Sequence, residues 1–169
     1  MLNWRSKSEN KPGYFNVELI NPVVPLFIDD KKRSISILSA ASILKILLPE
    51  RQINKKIFES YEKLLNSMFN KNWINNYINW EIFIIKELGY DVNIDVSDKV
   101  KNKALNFIKF NNKNLKIPKF YTLEAKKTLN KNDIYEALRF NKLLLVENFI
   151  VPNQLKLPLS RNILEKNYK

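Results

Sequence analysis

The chain has 169 residues, enough for one globular domain with a substantial core, and a formal net charge of +12 at pH 7. It contains neither cysteine nor histidine, which excludes disulfides, thiolate zinc sites, cysteine nucleophiles and the commonest general base. Its two glycines are too few for a glycine-rich phosphate-binding loop. We therefore expect a protein that is not an enzyme and that requires neither a cofactor nor a metal.

The positive charge is concentrated in the C-terminal part of the sequence. Residues 1–98 contain 13 Lys and Arg against 12 Asp and Glu, whereas residues 99–169 contain 16 against 5. A surface charge of one sign favours polyanionic partners such as nucleic acid or an acidic protein segment. The alternative is that an AT-rich genome has inflated the lysine content. That alternative explains the total charge more readily than its asymmetry.

Residues 1–33 are predicted to be extended. Two short runs flank a Lys-Pro-Gly turn at residues 11–13, which predicts a β-hairpin. Pro22 and Pro25 then interrupt any regular helix or central strand, so this part is expected to cross towards the next unit. Because two strands alone are marginally stable in water, the hairpin must pack on something else.

Helical periodicity starts at Ser34. A first helix is predicted from a cap at Ser34 or Ser36 to Pro49, and a second over about 54–69. A third runs from Trp73 to Gly89, and the short connections favour an antiparallel cluster.

The rest of the chain is predicted to contain a hairpin and two more helices. The alternating pattern near residues 104–117 predicts a small hairpin excursion. A long helix should run from about Asn132 to Val151, before Pro152, and a short helix should follow residues 157–160. The fold class is therefore mainly α, a helical bundle. No apolar run reaches the ~20 residues of a membrane span, and the N-terminus lacks a signal-peptide core, so we expect a cytoplasmic protein.

Glu81 lies near the middle of the apolar face of the third predicted helix. A buried carboxylate is expensive unless it is paired. We expect a structural acid that pairs with an arginine, with Arg139 and Arg51 as candidates, or that accepts hydrogen bonds from backbone N–H groups. The alternative is a functional acid.

Five sequence blocks, taken in order, carry a resemblance to a known family. They are WRSKSENKPGYFNVEL, SAASILKILLPERQINKKIFESYEKLLNSM, YINWEIFIIKELGYDVNID, ALRFNKLLLVENFI and LPLSRNIL. In order and spacing the chain resembles the RecO family of bacterial recombination and DNA-repair mediators. The WE dipeptide followed by ELGY is the most specific part.

The resemblance implies an N-terminal OB-fold barrel followed by a helical domain. Residues 1–33 would then be remnant strands of the OB-fold and a crossing segment, and residues 34–169 would be the RecO-like helical C-terminal domain. Family members often carry a cysteine zinc motif after the glycine that closes the third helix. This chain has neither Cys nor His there, so no metal is expected.

The resemblance also implies a function and partners. Such a protein binds single-stranded DNA and the acidic C-terminal tail of the single-stranded DNA-binding protein, promotes annealing, and loads RecA together with RecR, in association with the nucleoid. Six basic residues on or near helix ends are our predicted phosphate contacts: Lys126, Lys127, Lys131, Arg139, Lys142 and Arg161. The alternatives are a basic nucleic-acid- or ribosome-associated interaction module and an inactive truncated product.

Overall fold

The computed structural model describes residues 2–5, 13–18, 22–90, 107–110, 113–121 and 129–169. Most of these residues are helical, which confirms the predicted fold class. The α-helices of the described ranges are α1 (Lys31–Leu47), α2 (Lys55–Ser67), α3 (Trp73–Glu87), α4 (Lys131–Leu145) and α5 (Leu159–Lys166). Short 3-10 helices cover Val24–Phe27 and Lys119–Tyr121.

The strands form two separate hairpins. β1 (Leu2–Arg5) pairs antiparallel with β2 (Tyr14–Val17), and β3 (Phe107–Phe110) pairs antiparallel with β4 (Lys113–Lys116). Both hairpins lie where the sequence pattern predicts them. The assignment of the first hairpin to an OB-fold, and the division of the chain after residue 33, remain predictions.

The start of α1 differs from the predicted one. The Asp30 carboxylate accepts hydrogen bonds from the N–H groups of Lys32 and Arg33, at 3.1 and 3.0 Å, and so caps the helix. The predicted caps, Ser34 and Ser36, lie inside the first turns, and their hydroxyl groups donate to main-chain carbonyl groups. The cap therefore lies four residues before Ser34 and six before Ser36.

The end of α3 is closed by Gly89, as the sequence predicts. Gly89 has a φ of +93°, and its N–H donates to the Lys86 carbonyl at 2.9 Å. The N–H of Tyr90 donates to the Ile85 carbonyl at 3.2 Å. This pair of bonds is a Schellman motif, which satisfies carbonyl groups that the helix leaves free at its end.

The long fourth helix forms over the predicted range but changes its winding. α4 begins with a capping box in which Asn130 and Asp133 bond each other's main-chain N–H groups. It continues as a single π turn over Val146–Ile150. Because a π turn inserts an extra residue, it changes which side of the helix faces the core. The sequence of this region accordingly lacks a clean polar stripe.

The core forms around α3, which packs between α2 and α4, while α5 packs along α1. Two groups of buried apolar side chains fill the interior. The larger joins α1, α2, α3, α4 and α5 and includes Ile37, Ile57, Leu64, Met68, Tyr77, Ile78, Ile84, Leu138 and Leu164. The smaller contains Ile43, Ile82, Ile85, Phe140, Leu144, Leu145 and Phe149. Since α3 contributes to both groups, its apolar face extends around most of the helix.

Candidate nucleic-acid interface

Glu81 is fully buried in the centre of the bundle, where it meets Arg161 from α5. The two side chains are 1% and 0% exposed, respectively. The Arg161 Nε donates to Glu81 Oε1 at 2.5 Å, and its Nη2 donates to Oε2 at 3.1 Å. This is the two-pronged geometry in which arginine binds a carboxylate most strongly. An arginine does pair with Glu81, but the predicted candidates, Arg139 and Arg51, were wrong.

Further donors complete the coordination of the Glu81 carboxylate. The Tyr77 hydroxyl donates to Oε1 at 2.9 Å, and Asn141 Nδ2 donates to Oε2 at 3.2 Å. Arg161 Nη2 also donates to the Leu138 carbonyl at 2.6 Å. The charge of the pair is therefore spread over groups from α3, α4 and α5, as a stable buried ion pair requires.

Two more side chains extend this arrangement, which we call the buried network: Ser39, Tyr77, Glu81, Tyr121, Asn141 and Arg161. The Ser39 hydroxyl lies 2.7 Å from the Tyr77 hydroxyl, and Tyr121 donates to Asn141 Oδ1 at 2.6 Å. Burial raises the pKa of Tyr77 well above its usual value, and the charge of Glu81 raises it further. The network consequently joins α1 and the segment after β4 to α3, α4 and α5.

The structure changes the interpretation of two predicted DNA contacts. Arg161 is completely buried and paired with Glu81, so it cannot reach a phosphate; its assignment as a DNA contact is corrected. Lys142 is one-third exposed, and its ammonium group lies 3.1 Å from the Glu165 carboxylate. Its charge is therefore partly compensated within the protein.

Of the other four predicted contacts, two lie on α4 and two lie outside the described residues. Lys131 and Arg139 are exposed, about two helical turns apart. The Lys131 ammonium group also donates to the main-chain oxygen of Lys169 at 2.9 Å. Lys126 and Lys127 lie outside the described residues. Of the predicted set, Lys131 and Arg139 are therefore the members that the described part of the chain shows as exposed.

Sequence reasoning did not locate a groove of about 700 Å³ between α2 and α3. Its apolar lining includes Leu64, Trp80 and Phe83. The charged residues of the lining are two lysines and two glutamates: Lys56, Lys63, Glu59 and Glu87. Charged residues alternate with apolar ones along α2, and asparagines form the polar side of the mostly apolar α3. A groove between two such helices leaves no signal of its own in the sequence.

Two other kinds of site are absent from the described residues. Across the described ranges, no His, Cys, Asp and Glu side chains group together in a way that could hold a metal ion. None of the helices described above combines the length and the apolar content that crossing a membrane requires.

Comparison with known proteins places the chain in a family. Residues 29–149 match the family model described as "Recombination protein O C terminal". DNA repair protein RecO of Orientia tsutsugamushi (strain Ikeda) is 27% identical over 189 residues, covering 97% of this chain and 74% of that protein. DNA repair protein RecO of Wolbachia sp. subsp. Drosophila simulans (strain wRi) is 28% identical over 93 residues, covering 54% of this chain and 39% of the relative.

No solved structure matches the chain at a significant level. The family match begins beside the Asp30 cap of α1 and ends within the π turn that follows α4. It thus covers the first four helices of the described bundle and includes Glu81. The chain belongs to the RecO family.

Proposed function

We propose that this chain acts in DNA repair and recombination as a RecO-type mediator, without enzymatic activity. It binds single-stranded DNA and the single-stranded DNA-binding protein, promotes annealing, and loads RecA together with RecR. The observation that carries the proposal is the family match over residues 29–149, which covers the first four helices of the bundle. The relatives bear the name DNA repair protein RecO.

Charge supports the DNA-binding part of this proposal. The net charge is +12, and most of the excess lies in residues 99–169. Lys131 and Arg139, which both belong to this part, are exposed. The Glu81 carboxylate is buried and paired with Arg161, so it does not offset positive charge at the surface. Lysine and arginine contacts to phosphates give affinity without sequence reading, which suits a protein that must act on any single strand.

The groove between α2 and α3 supports the protein-binding part. An acidic tail with an apolar tip needs an apolar recess beside a cation. Trp80 and Phe83 provide apolar surface, and Lys63 provides an ammonium group with no carboxylate within 4 Å in the described part of the chain. Lys56 is less available because it pairs with Glu87 at 3.6 Å. We assign the tail of the single-stranded DNA-binding protein to this groove.

The DNA-binding part is tested by fluorescence anisotropy of a labelled single-stranded oligonucleotide at several salt concentrations. Neutralising ~4 to 6 phosphates should make log K fall against log salt with a slope of roughly −3 to −4, at ~−0.7 per contact. Circular dichroism of the same samples shows that the protein is folded. A folded protein that does not bind the oligonucleotide at low salt would contradict this part.

The protein-binding part is tested with a labelled acidic peptide carrying an intact apolar tip, compared with the same peptide lacking the tip. Lys63→Glu should weaken binding of the intact peptide. Lys86→Glu is the matched control, because Lys86 is an exposed lysine of α3 that does not line the groove. Equal binding of both peptides would indicate a generic polyanion binder instead.

A further inference from the structure

Five lysines come together at one end of the helical bundle, which we call the basic end: Lys31, Lys32, Lys131, Lys166 and Lys169. Lys31 and Lys32 are the first residues of α1, Lys131 is the first residue of α4, and the other two lie at and just beyond the end of α5. All five are exposed. Three different helix ends therefore contribute cations to this surface.

Two contacts show that these helix ends adjoin. The Lys131 ammonium group lies 2.9 Å from the main-chain oxygen of Lys169. The Lys32 ammonium group lies 5.0 Å from the centre of the Tyr168 ring, within cation–π range. Since Tyr168 and Lys169 follow α5 directly, the starts of α1 and α4 both contact the same short segment. The lysines thus share a surface although 138 positions separate the numbers 31 and 169 in the sequence.

Across the described ranges no Asp or Glu side chain lies within 4 Å of these five ammonium groups. The Lys131 ammonium group does have a nearby oxygen, that of the main chain of Lys169, the last residue. The Asp30 carboxylate caps α1 and pairs with Arg33. The Asp133 carboxylate accepts the N–H of Asn130 at 3.0 Å. Asp29 is an exposed acid close to the start of α1. Five cations therefore outnumber the nearby acids, and two of those acids are engaged elsewhere.

The start of α2 provides an internal comparison. α2 also begins with two lysines, but Lys55 lies 3.9 Å from Glu59 and Lys56 lies 3.6 Å from Glu87. The lysines that begin α1 have no such partner in the described structure, and the first turn of α1 contains no acid. Cations at a helix N-terminus oppose the helix dipole, so Lys31 and Lys32 do not stabilise the start of α1. An external anion would provide the partner that Lys31 and Lys32 lack among the described acidic side chains.

We propose that the basic end binds the phosphodiester backbone of single-stranded nucleic acid. This refinement rests on the DNA binding proposed above and assigns it to particular residues. Lysine ammonium groups on flexible stems at three helix ends suit a chain of phosphates, which they contact as point charges. The Tyr168 ring is 7% exposed and lies under Lys32, so it offers bases little surface on which to stack. Binding here is therefore electrostatic and independent of sequence.

The test compares two triple variants of the full chain. Lys31→Gln/Lys32→Gln/Lys131→Gln removes three charges from the basic end. Lys45→Gln/Lys55→Gln/Lys86→Gln is the matched control, which removes three charges from exposed helical positions outside the groove, one of them again at a helix start. Anisotropy with a labelled single-stranded oligonucleotide gives the dissociation constant at several salt concentrations, and thermal unfolding monitored by circular dichroism checks the fold.

For the basic-end variant we expect affinity to fall by about tenfold or more at low salt, and the salt slope to become shallower by roughly 2, at ~0.7 per lost contact. The control should change both quantities much less. If the unaltered chain does not bind, the proposed DNA binding itself fails, and this inference fails with it. If the unaltered chain binds and both variants weaken equally, DNA binding stands and the basic end is overturned. If the basic-end variant lost binding of the acidic peptide but bound DNA as the unaltered chain does, the assignment of DNA binding to the basic end would likewise be overturned.

Discussion

Arg161 and Lys32 lie on two helices that pack together, α5 and α1, and each contributes one positive charge to the sequence. Arg161 is completely buried, where Glu81 and the Leu138 carbonyl engage its guanidinium group. Lys32 is exposed, and its ammonium group contacts the face of an aromatic ring. The first charge holds the interior together, and the second is available to an outside partner. Net charge alone therefore does not indicate how much charge a ligand can reach.

The difference has a physical cause. In the interior a charge must meet an opposite charge and hydrogen-bond partners on all sides, since desolvation costs several kcal/mol per ion. At the surface, water solvates the charge and no partner is needed. Substitutions in the buried network should therefore have large effects on stability, and substitutions at the basic end should have small ones.

The largest effect is expected for Glu81→Leu, which leaves the Arg161 charge buried without its partner. The free energy of unfolding should fall by ~3–5 kcal/mol, measured by urea denaturation. The double variant Glu81→Leu/Arg161→Met removes both charges and should recover most of that loss. A Glu81→Leu protein as stable as the unaltered chain would contradict the role of the pair.

A smaller loss is expected for Asn141→Leu. Its side chain donates to the Ile78 carbonyl and to Glu81, and accepts from Tyr121, so its removal leaves several buried groups without partners. The loss should be about 1–3 kcal/mol in the same denaturation experiment. Asn132→Leu, at an exposed position of α4, is the control and should change stability little.

Tyr77→Phe tests the network through its pH dependence. The folded protein holds the pKa of Tyr77 well above the usual 10.0, because of burial and the charge of Glu81. The protonated phenol is therefore favoured in the folded state, and its contribution is complete below about pH 10 and lost as the pH rises further. Stability of the unaltered chain should fall above pH 10.

The variant should lose roughly 1–3 kcal/mol at neutral pH because the hydrogen bonds of the Tyr77 hydroxyl to Glu81 and Ser39 are absent. Above pH 10 its stability should fall less steeply than that of the unaltered chain, by up to about 1.4 kcal/mol per pH unit. Lysines deprotonate in both proteins, so the difference between the two curves isolates Tyr77. Parallel curves would show that the phenol ionises as freely in the folded state as in the unfolded state.

The smallest effect, with the opposite sign, is expected for Lys31→Gln. Removing a cation from the first turn of α1 should raise the free energy of unfolding by about 0.3–1 kcal/mol, because the positive end of the helix dipole repels that cation. Thermal unfolding at low salt measures the gain, which high salt should diminish. Destabilisation by this substitution would mean that Lys31 has a structural partner.

The sequence was sufficient to predict most helices because their apolar periodicity is strong. Trp73–Glu87 has that pattern and a closing glycine, so both its extent and the burial of Glu81 follow from local information. The identity of the partner of Glu81 does not follow from local information. Arg161 lies 80 positions away on a short helix whose packing against α1 is a tertiary property.

The missed cap of α1 has a different reason. Asp30, Ser34 and Ser36 all belong to residue types that cap helices, and the apolar pattern becomes clear only after Ser34. The choice between them depends on where the preceding 3-10 helix brings the chain. The basic end was missed for a related reason. Lysines at the starts of α1 and α4 can be read from the sequence, but their proximity depends on how α1, α4 and α5 meet.

Gly89 leads to a consequence about stereochemistry. A Cβ atom added to it would meet nothing within 4 Å, so the position has room for a side chain, yet its φ of +93° is one that L-residues rarely adopt. L-alanine should therefore cost ~1–2 kcal/mol through handedness alone. D-alanine, whose preferred backbone angles are the mirror image, should avoid this backbone strain and restrict the unfolded chain. At this helix end the backbone angle itself favours the opposite chirality.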